Sequence, residues 1–286
     1  MRNDLLAAID SKYNSLSKGQ KHIADFILTR YDKAAYITAA KLGSLAGVSE
    51  STVVRFASEL GYDGFPGFQA ALRDLIKTKL TAVQRMEIAS DRTDEHHILE
   101  AVLQSDMENL KNTLEASDSN TFQNAVQAIL GARKIYILGV RSSAALASFL
   151  GFYFNLIFDN VVSVHTNSVS EMFEQLLRIG ENDVVVGISF PRYSRRTVKA
   201  LKYAKDRKST VISITDSKSS PLVPYSDFAL TAVSNMASFV DSLVAPLSLI
   251  NALIFAVGMR KKNDVYNTFE KLEGIWDEYD VYEKNE

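Results

Sequence analysis

The chain of 286 residues contains no cysteine and carries a formal net charge of -2 at pH 7. It is long enough for two domains that each bury a core, and its 47% hydrophobic and 23% charged residues are typical of a globular chain rather than a disordered one. The lack of cysteine excludes disulfides, thiolate metal sites and cysteine nucleophiles, and it fits a reducing cytoplasm.

The charge is unevenly distributed along the chain. Residues 1–85 contain 12 Lys and Arg and 8 Asp and Glu, a net charge of +4, whereas the remaining residues carry a net charge of -6. A basic first third joined to an acidic remainder favours a DNA-binding domain followed by a domain that does not bind DNA. The apolar stretches Ala144–Phe158 and Leu243–Met259 are short or interrupted by polar residues, so we expect buried helices, a cytoplasmic protein and no membrane partner.

The first helix signal in the chain is a capping box. Ser17 precedes Gln20 by three residues, a spacing at which each side chain can bond the backbone amide of the other residue. Ile23 and Ile27 then recur at helical spacing, which predicts a helix to about Tyr31.

A tight turn between two short helices follows. Residues 38–46 have the apolar spacing of a first helix. Its stripe comprises Ala39, Leu42, Leu45 and Ala46. Gly47 supplies the permissive backbone that a sharp turn needs. Ser49 suits the N-cap position, where its hydroxyl would accept a hydrogen bond from a first-turn amide, and Gly61 suits the left-handed residue that closes the second helix.

The second of these helices has two different faces. Its apolar stripe comprises Val53, Phe56, Ala57 and Leu60. Its other face carries hydroxyls and an arginine, at Ser51, Thr52, Arg55 and Ser58. Hydroxyls allow close approach to phosphates, and arginine can bind guanine through two hydrogen bonds. An ordinary helical hairpin shares the apolar spacing, but the combination of turn, cap and polar face predicts a helix-turn-helix in the major groove.

Five residues at the start of this second helix are the predicted DNA contacts. Glu50, Ser51 and Arg55 are expected to read base edges, and Ser49 and Thr52 are expected to hold phosphates. Each lies in the first turn and a half of the helix or at its cap, the part that meets base edges in this motif.

The rest of the first third completes a helical domain. An aromatic turn around Phe65 and an amphipathic helix through Leu72 and Ile76 end the domain predicted over residues 1–80. Apolar periodicity then fades, which predicts a linker followed by a connecting helix, together residues 81–118. The apolar positions of that connecting helix, expected to pack on the next domain, are Ile98, Val102, Leu103, Met107, Leu110 and Leu114.

From Arg133 the pattern changes to short β-branched runs that alternate with helical segments. The predicted strands are Lys134–Leu138, Val161–His165, Asp183–Ser189, Thr210–Thr215 and Asp227–Thr231. Runs rich in valine and isoleucine that alternate with helices indicate a doubly wound parallel sheet. We expect this α/β domain over residues 119–262, followed by a C-terminal helix in residues 263–286.

Two of the predicted strands end in loops that suit an anion. Gly139, Arg141, Ser142 and Ser143 follow the first strand, and Ser189, Arg192, Ser194 and Thr197 follow the third. Ligands of such sheets bind beyond the carboxyl ends of the strands, at helix N-termini whose free amides favour negative charge. The serines would serve equally well as plain helix caps. Neither loop has a G-x-G-x-x-G or a P-loop lysine, so neither is a nucleotide motif.

The two halves together resemble the RpiR/MurR family of transcriptional regulators. Residues 46–56, followed by Leu60-Gly61 and Gly64-Phe65, are similar to the helix-turn-helix domain of that family. Residues from about 120 to 260 are similar to its sugar isomerase (SIS) domain, a flavodoxin-like module that binds phosphosugars. The resemblance implies a dimer or tetramer that binds palindromic operator DNA, and a sugar phosphate or related anion that alters this binding.

The resemblance also implies effector-binding roles for the two serine-containing loops. The family's first phosphosugar loop corresponds to residues 139–143. Its second, usually Ser-x-Ser-Gly-x-Thr, corresponds to residues 189–194 with Pro191 in place of serine, Arg192 in place of glycine and Ser194 in place of threonine. The guanidinium of Arg192 can bind a phosphate or carboxylate through two bonds, or it can fill the pocket, so the identity of the effector stays open.

Two alternatives are compatible with the same sequence. A SIS-type sugar-phosphate isomerase needs an acid and a base, for which the candidates are Glu171, Glu174, Asp216 and His165. A helix-turn-helix has no role in an isomerase, so we expect a regulator that is not an enzyme, with no catalytic residue, metal or cofactor. In the other alternative, the SIS domain of a DNA-binding protein serves only to dimerise it.

Overall fold

The computed structural model describes residues 5–79, 81–90, 95–166, 168–235 and 240–283. The chain divides into two compact units, Met1–His96 and His97–Glu286. The described part of the first unit is helical, and the second contains a parallel β-sheet. Within the described residues, no single helix has the length and hydropathy of a membrane span. Only the last two helices together reach that threshold, with a bend of 98° between them.

The N-terminal unit is built from six α-helices in the described residues. They are α1 (Leu5–Lys12), α2 (Lys18–Ala34), α3 (Ala39–Ala46), α4 (Glu50–Glu59), α5 (Gly64–Lys79) and α6 (Ala82–Ser90). The predicted capping box is confirmed, since the Ser17 hydroxyl accepts from the Gln20 amide and the Gln20 side chain accepts from the Ser17 amide. The α2 helix runs beyond Tyr31 and bends at Arg30, where φ is -141°.

The core of this unit joins α2, α3, α4 and α5. Ile27, Leu42, Val53 and Phe56 are fully buried, and the rings of Phe56 and Phe68 meet edge to face with centroids 5.7 Å apart. The apolar stripes of these four helices therefore share one interior, which fixes where the exposed face of α4 points relative to its neighbours.

Two segments of the N-terminal unit differ from the sequence prediction. The α1 helix was not predicted. Residues 82–90, expected to be linker, form α6, and this helix belongs to the N-terminal unit. Its start is a second capping box: the Gln84 amide donates to the Thr81 hydroxyl, and the Thr81 amide donates to the Gln84 side chain. This local signal outweighs the weak apolar periodicity of the segment.

The C-terminal unit contains five strands and seven further α-helices among the described residues. The strands are β1 (Lys134–Gly139), β2 (Val161–Val164), β3 (Asp183–Ile188), β4 (Thr210–Thr215) and β5 (Phe228–Thr231). The helices are α7 (Ile98–Ala116), α8 (Ser119–Leu130), α9 (Ser143–Ile157), α10 (Val169–Leu176), α11 (Arg195–Asp206), α12 (Val244–Arg260) and α13 (Lys262–Glu278).

The five strands form one parallel sheet in the order β2-β1-β3-β4-β5. Alternate residues of each strand face opposite sides: Ile137 and Val186 pack on one side, whereas Tyr136 and Val185 pack on the other. The strand order reverses between β1 and β3, so the loops after these two strands diverge and leave a crevice at their carboxyl ends. The doubly wound fold predicted from the sequence is confirmed.

The α7 helix packs against α12 of the C-terminal unit, as predicted, but it does not do so through its predicted apolar stripe. The predicted apolar positions are largely exposed, with Leu103, Met107 and Leu114 at 54, 62 and 78%. It is joined to the rest of the unit through its other face, where the Thr113 hydroxyl accepts from the amide of Val233 and Asp106 accepts from the Ser242 hydroxyl. These polar contacts and the packing against α12 hold the helix in place, and the predicted apolar stripe is exposed.

Candidate functional site

The turn between α3 and α4 is held by two glycines. Gly47 has a left-handed φ of 68°, in keeping with the permissive backbone expected at this turn, and Gly61 has the predicted left-handed conformation with φ at 90°. A Cβ atom on Gly43 would lie 2.7 Å from the carbonyl oxygen of Val48, so only glycine lets the chain leaving the turn pass this close to α3. Gly43 is therefore buried, whereas Leu45, predicted to belong to the apolar stripe, is half exposed.

The start of α4 presents its polar side chains to solvent. Glu50, Ser51 and Arg55 are exposed and Thr52 is half-buried. On the opposite side of the helix Val53, Phe56 and Ala57 are completely buried. The two-faced helix predicted from the sequence is confirmed, and its polar face is open along the first turn and a half.

The predicted capping bond of Ser49 is not formed. Ser49 occupies the N-cap position, but its hydroxyl lies 2.9 Å from the hydroxyls of both Ser51 and Thr52 rather than accepting from an amide. Two neighbouring hydroxyls compete with the first-turn amides for the same oxygen, which is why the spacing rule fails here. Arg55 folds back along the helix, since its Nε donates to the carbonyl oxygen of Ser51 at 3.3 Å.

A cavity of about 850 Å³ opens at the carboxyl ends of β1, β2 and β3. Its lining comes from three loops and comprises Gly139, Val140, Arg141, Ala144, His165, Thr166, Arg192, Tyr193, Ser194, Arg195 and Arg196. This is the crevice at which doubly wound sheets bind their ligands, and its volume is typical of a small-molecule site. Four of the lining residues are arginines, so the lining is rich in positively charged residues.

The structure brings half of the predicted effector residues into this lining. Gly139, Arg141, Arg192 and Ser194 line the cavity. The other four do not: Ser142 is exposed, and Ser143, Ser189 and Thr197 are buried in the loop and helix behind it.

Several lining residues were missed by the sequence reasoning. Arg195 and Arg196 directly follow the predicted residue Ser194 and carry the same charge as Arg192. The sequence of this loop therefore already indicated further positive charge in the lining. Thr166 follows a strand whose end was not considered, and His165 was weighed only as a catalytic candidate.

The loop from β1 into α9 is shaped by a close approach of backbone to backbone. A Cβ atom on Gly139 would lie 2.4 Å from the carbonyl oxygen of Ser143, so glycine is required for the first turn of α9 to pack against the end of β1. Arg141 adopts a left-handed φ of 59°, which is uncommon for a residue with a side chain. The loop therefore holds Arg141 in a strained backbone at the cavity wall.

The loop from β3 into α11 is braced by its own hydroxyls. The Ser194 amide donates to the Ser189 hydroxyl at 3.1 Å, and the Ser194 hydroxyl caps α11 by accepting from the Arg196 amide at 3.2 Å. The Tyr193 hydroxyl donates to the Asp216 carboxylate at 2.6 Å and ties the loop to the end of β4. Within this braced loop Arg192 has a left-handed φ of 63°.

The acidic candidates for isomerase chemistry do not reach the cavity. Asp216 is held by Tyr193, and Glu171 accepts from the hydroxyl of Thr166. Among the described residues, no Asp or Glu lines the cavity, and His165 is its one lining histidine. The arrangement is chemically suited to hold an anion, because guanidinium forks and helix N-terminal amides are donors.

Comparison with known protein families gives two matches that lie in the same order as the two units. The model described as a helix-turn-helix domain of the rpiR family matches residues 3–79, and the model of the SIS domain matches residues 128–256.

Known transcriptional regulators and a solved structure are similar to most of the chain. An uncharacterized HTH-type transcriptional regulator of Haemophilus influenzae is 27% identical over 268 residues, 92% of either chain. The HTH-type transcriptional regulator HexR of Escherichia coli is 28% identical over 229 residues, 80% of this chain and 77% of HexR. Vibrio vulnificus NanR, solved in complex with ManNAc-6P, shares the fold with a TM-score of 0.59 at 23% identity, over 95% of this chain and 98% of NanR.

Proposed function

Because the chain belongs to the RpiR family of helix-turn-helix transcriptional regulators with a SIS domain, we propose that it binds operator DNA through α4 and that a phosphorylated sugar or related small anion in its cavity alters this binding. The observation that carries the effector part is the cavity at the carboxyl ends of β1 and β3, whose lining includes four arginines and no carboxylate among the described residues.

The DNA-binding part is supported by the exposed polar face of α4. Glu50, Ser51 and Arg55 are exposed at the helix start, so they are free of core packing. In a helix-turn-helix this end meets base edges, and Arg55 supplies the guanidinium that can bind guanine through two bonds. The hydroxyls of Ser49 and Thr52 lie beside one another and suit phosphate contacts.

The effector part is supported by the chemistry of the cavity and by the fold it shares. Arg141, Arg192 and Ser194 line it together with the N-terminus of α11. NanR, which has the same fold, was solved with a sugar phosphate, ManNAc-6P. We take the lining groups as direct contacts, and Ser142, Ser143, Ser189 and Thr197 as residues that shape the two loops or contact the effector once it is bound.

We also propose that the protein is a homo-oligomer. The neighbouring helices α9 and α12 carry exposed apolar side chains, among them Phe152, Phe255 and Met259 at 61, 71 and 55%. An adjoining apolar groove of about 330 Å³ is lined by residues of α9, α12 and α13. We propose that this face joins two copies, so that two α4 helices read half-sites of a palindrome, ~34 Å or a multiple of it apart.

We propose no enzymatic activity. Aldose–ketose isomerisation needs a base close to the sugar carbons. The lining holds no carboxylate among the described residues, and Asp216 is engaged by Tyr193 outside it. The relatives from Haemophilus influenzae and Escherichia coli are named as HTH-type transcriptional regulators.

The experiment that tests the proposal has two readouts on the full-length protein. Selection from a random pool of duplexes should enrich a palindromic site. Thermal unfolding across a panel of sugar phosphates and sugar acids should show a midpoint that rises with ligand concentration, because a ligand that binds only the folded state stabilises it. A failure of the selection would refute the DNA-binding part, and a flat response to the whole panel would refute the effector part.

A further inference from the structure

The exposed face of α4 carries one apolar side chain that was not among the predicted DNA contacts. Val54 follows Glu50 by four residues and precedes Ser58 by four, so it lies on the same side of the helix as these polar positions. It is 39% exposed, whereas its neighbour Val53 is completely buried. Burial in the core therefore accounts for Val53 and leaves Val54 on the face that is proposed to meet DNA.

The surroundings of Val54 on this face are polar. The other exposed residues of α4 are Glu50, Ser51, Arg55, Ser58 and Glu59. Two of them bond the backbone of their own helix: Arg55 Nε donates to the carbonyl oxygen of Ser51 at 3.3 Å, and the Ser58 hydroxyl donates to the carbonyl oxygen of Val54 at 3.3 Å. Valine in a helix has one strongly preferred χ1 rotamer, so a contact through its methyl groups costs little side-chain entropy.

The edges of the bases in the major groove explain what such a group can recognise. Guanine, cytosine and adenine are read there through hydrogen-bond donors and acceptors, whereas thymine adds its C5-methyl group, which apolar side chains contact. A valine that meets this methyl group removes both apolar groups from water. The same valine against a guanine edge would leave hydrogen-bonding groups without a partner, which costs free energy. Val54 is therefore suited to thymine.

We propose that Val54 reads a thymine through its C5-methyl group. It lies within one turn of the three proposed base-reading residues of α4, so a helix that brings those residues to base edges brings Val54 to the same groove. The inference rests on the proposed binding of operator DNA through α4 and adds an apolar residue to the set that determines its sequence preference.

Replacement of thymine by deoxyuridine in the selected duplex tests this contact, because deoxyuridine lacks only the C5-methyl group. Fluorescence anisotropy gives the affinity of the full-length protein for duplexes in which each thymine of the half-site is replaced in turn. At one position the replacement should weaken binding by about fourfold per half-site, the effect of one buried methyl group.

The variant Val54→Ala should bind the selected duplex more weakly and lose the sensitivity to deoxyuridine at that position. The two changes remove opposite sides of one contact, so their effects should not add. The side chain is exposed, so the unfolding midpoint should not fall. The matched control is Val83→Ala, the same substitution at an exposed position of α6. It should keep the affinity of the wild type and its sensitivity to deoxyuridine.

The outcomes that overturn the inference differ from those that overturn the proposed function. A selected site without an A·T pair, no response to deoxyuridine at any position, or an undiminished response in Val54→Ala would show that Val54 reads no methyl group. Sequence-selective DNA binding would then still stand. A selection that enriches no duplex would refute the DNA-binding function and the inference with it.

Discussion

The two units of the molecule present their candidate sites in opposite ways. In the N-terminal unit the site is the convex face of one helix, drawn from the contiguous residues 49–55. In the C-terminal unit it is a cavity assembled from three loops that are far apart in the chain. A helix face needs only its own periodicity and a packed opposite side. A cavity needs backbone conformations that hold the loops apart, and here these include two arginines with positive φ.

This difference predicts how each site responds to substitution. Side chains on the α4 face are exposed, so replacing them should change binding and leave stability intact. The loops of the cavity depend on glycine contacts and strained residues, so changes there should couple stability to binding.

The largest expected effect is that of Gly139→Ala. Its Cβ atom would meet the backbone of Ser143 at 2.4 Å, and backbone cannot move aside as a side chain can. We expect the C-terminal unit to lose about 3 kcal/mol of unfolding free energy. The chain has one tryptophan, Trp276 in α13, so its fluorescence during chemical denaturation follows this unit.

The matched control for that variant is Gly180→Ala. A Cβ atom on Gly180 would meet nothing within 4 Å. It should leave the denaturation midpoint nearly unchanged. A similar loss for both variants would show that the close approach at the end of β1 is not what requires glycine.

Gly43→Ala should have the next largest effect, on the other unit. The new Cβ atom would lie 2.7 Å from the carbonyl oxygen of Val48, while alanine regains about 1 kcal/mol of helix propensity. We expect a net loss of about 1–2 kcal/mol in the N-terminal unit and weaker DNA binding, with the Trp276 transition unchanged. Circular dichroism measures the stability of the unit, and fluorescence anisotropy with labelled DNA measures the binding.

The control for this turn is Gly67→Ala in α5, where the added Cβ atom would have only an ordinary contact with Tyr62 at 4.0 Å. It gains the same propensity without the clash and should stabilise the unit. Unweakened DNA binding in Gly43→Ala would contradict the role given to the turn.

Arg55→Ala should weaken binding without a loss of stability. If Arg55 reads a guanine, the variant costs about 1–3 kcal/mol in binding of the selected duplex and relaxes the preference at one base position. Ser58→Ala, an exposed position farther along the same helix, serves as the control. An unchanged base preference in Arg55→Ala would remove this residue from the reading set.

Ser142→Ala should have the smallest effect. The side chain is exposed and caps no amide, so its loss should not change folding. If its hydroxyl contacts the bound effector, the contact contributes about 1 kcal/mol, and calorimetry should show effector affinity lowered several-fold with DNA affinity unchanged. Ser148→Ala, exposed farther along α9, is the control. Equal effector affinity in both variants would exclude Ser142 as a contact.

The comparison of the two units also explains what could be predicted from the sequence. The five strands and the two-faced α4 were predictable because burial imposes a period on the side chains, as at Val53 and Phe56. The requirement for glycine at positions 43 and 139 was not, since it arises from backbone that approaches from the other side of a turn. The hydroxyl cluster at Ser49 was missed for a similar reason, because a spacing rule does not show which donors compete.

The cavity was predictable only in part. Parallel strands followed by serine and arginine predicted an anion site at the carboxyl ends of the strands, and the cavity opens at that edge of the sheet. Which side chains line the cavity depends on loop conformation, so Arg192 lines it whereas Ser142 does not, although both lie in predicted loops. His165 and Thr166 enter the site because β2 lies beside β1, a pairing that no local pattern in the chain specifies.

The most direct test of the account joins the two units in one measurement. Fluorescence anisotropy of the selected duplex gives its affinity for the full-length protein with and without the tightest-binding phosphorylated probe at saturation. Coupling between the sites predicts a change of at least about fivefold, in either direction. The change should be lost when the cavity no longer binds the probe. The same affinity with and without bound probe would contradict the claim that the cavity controls DNA binding.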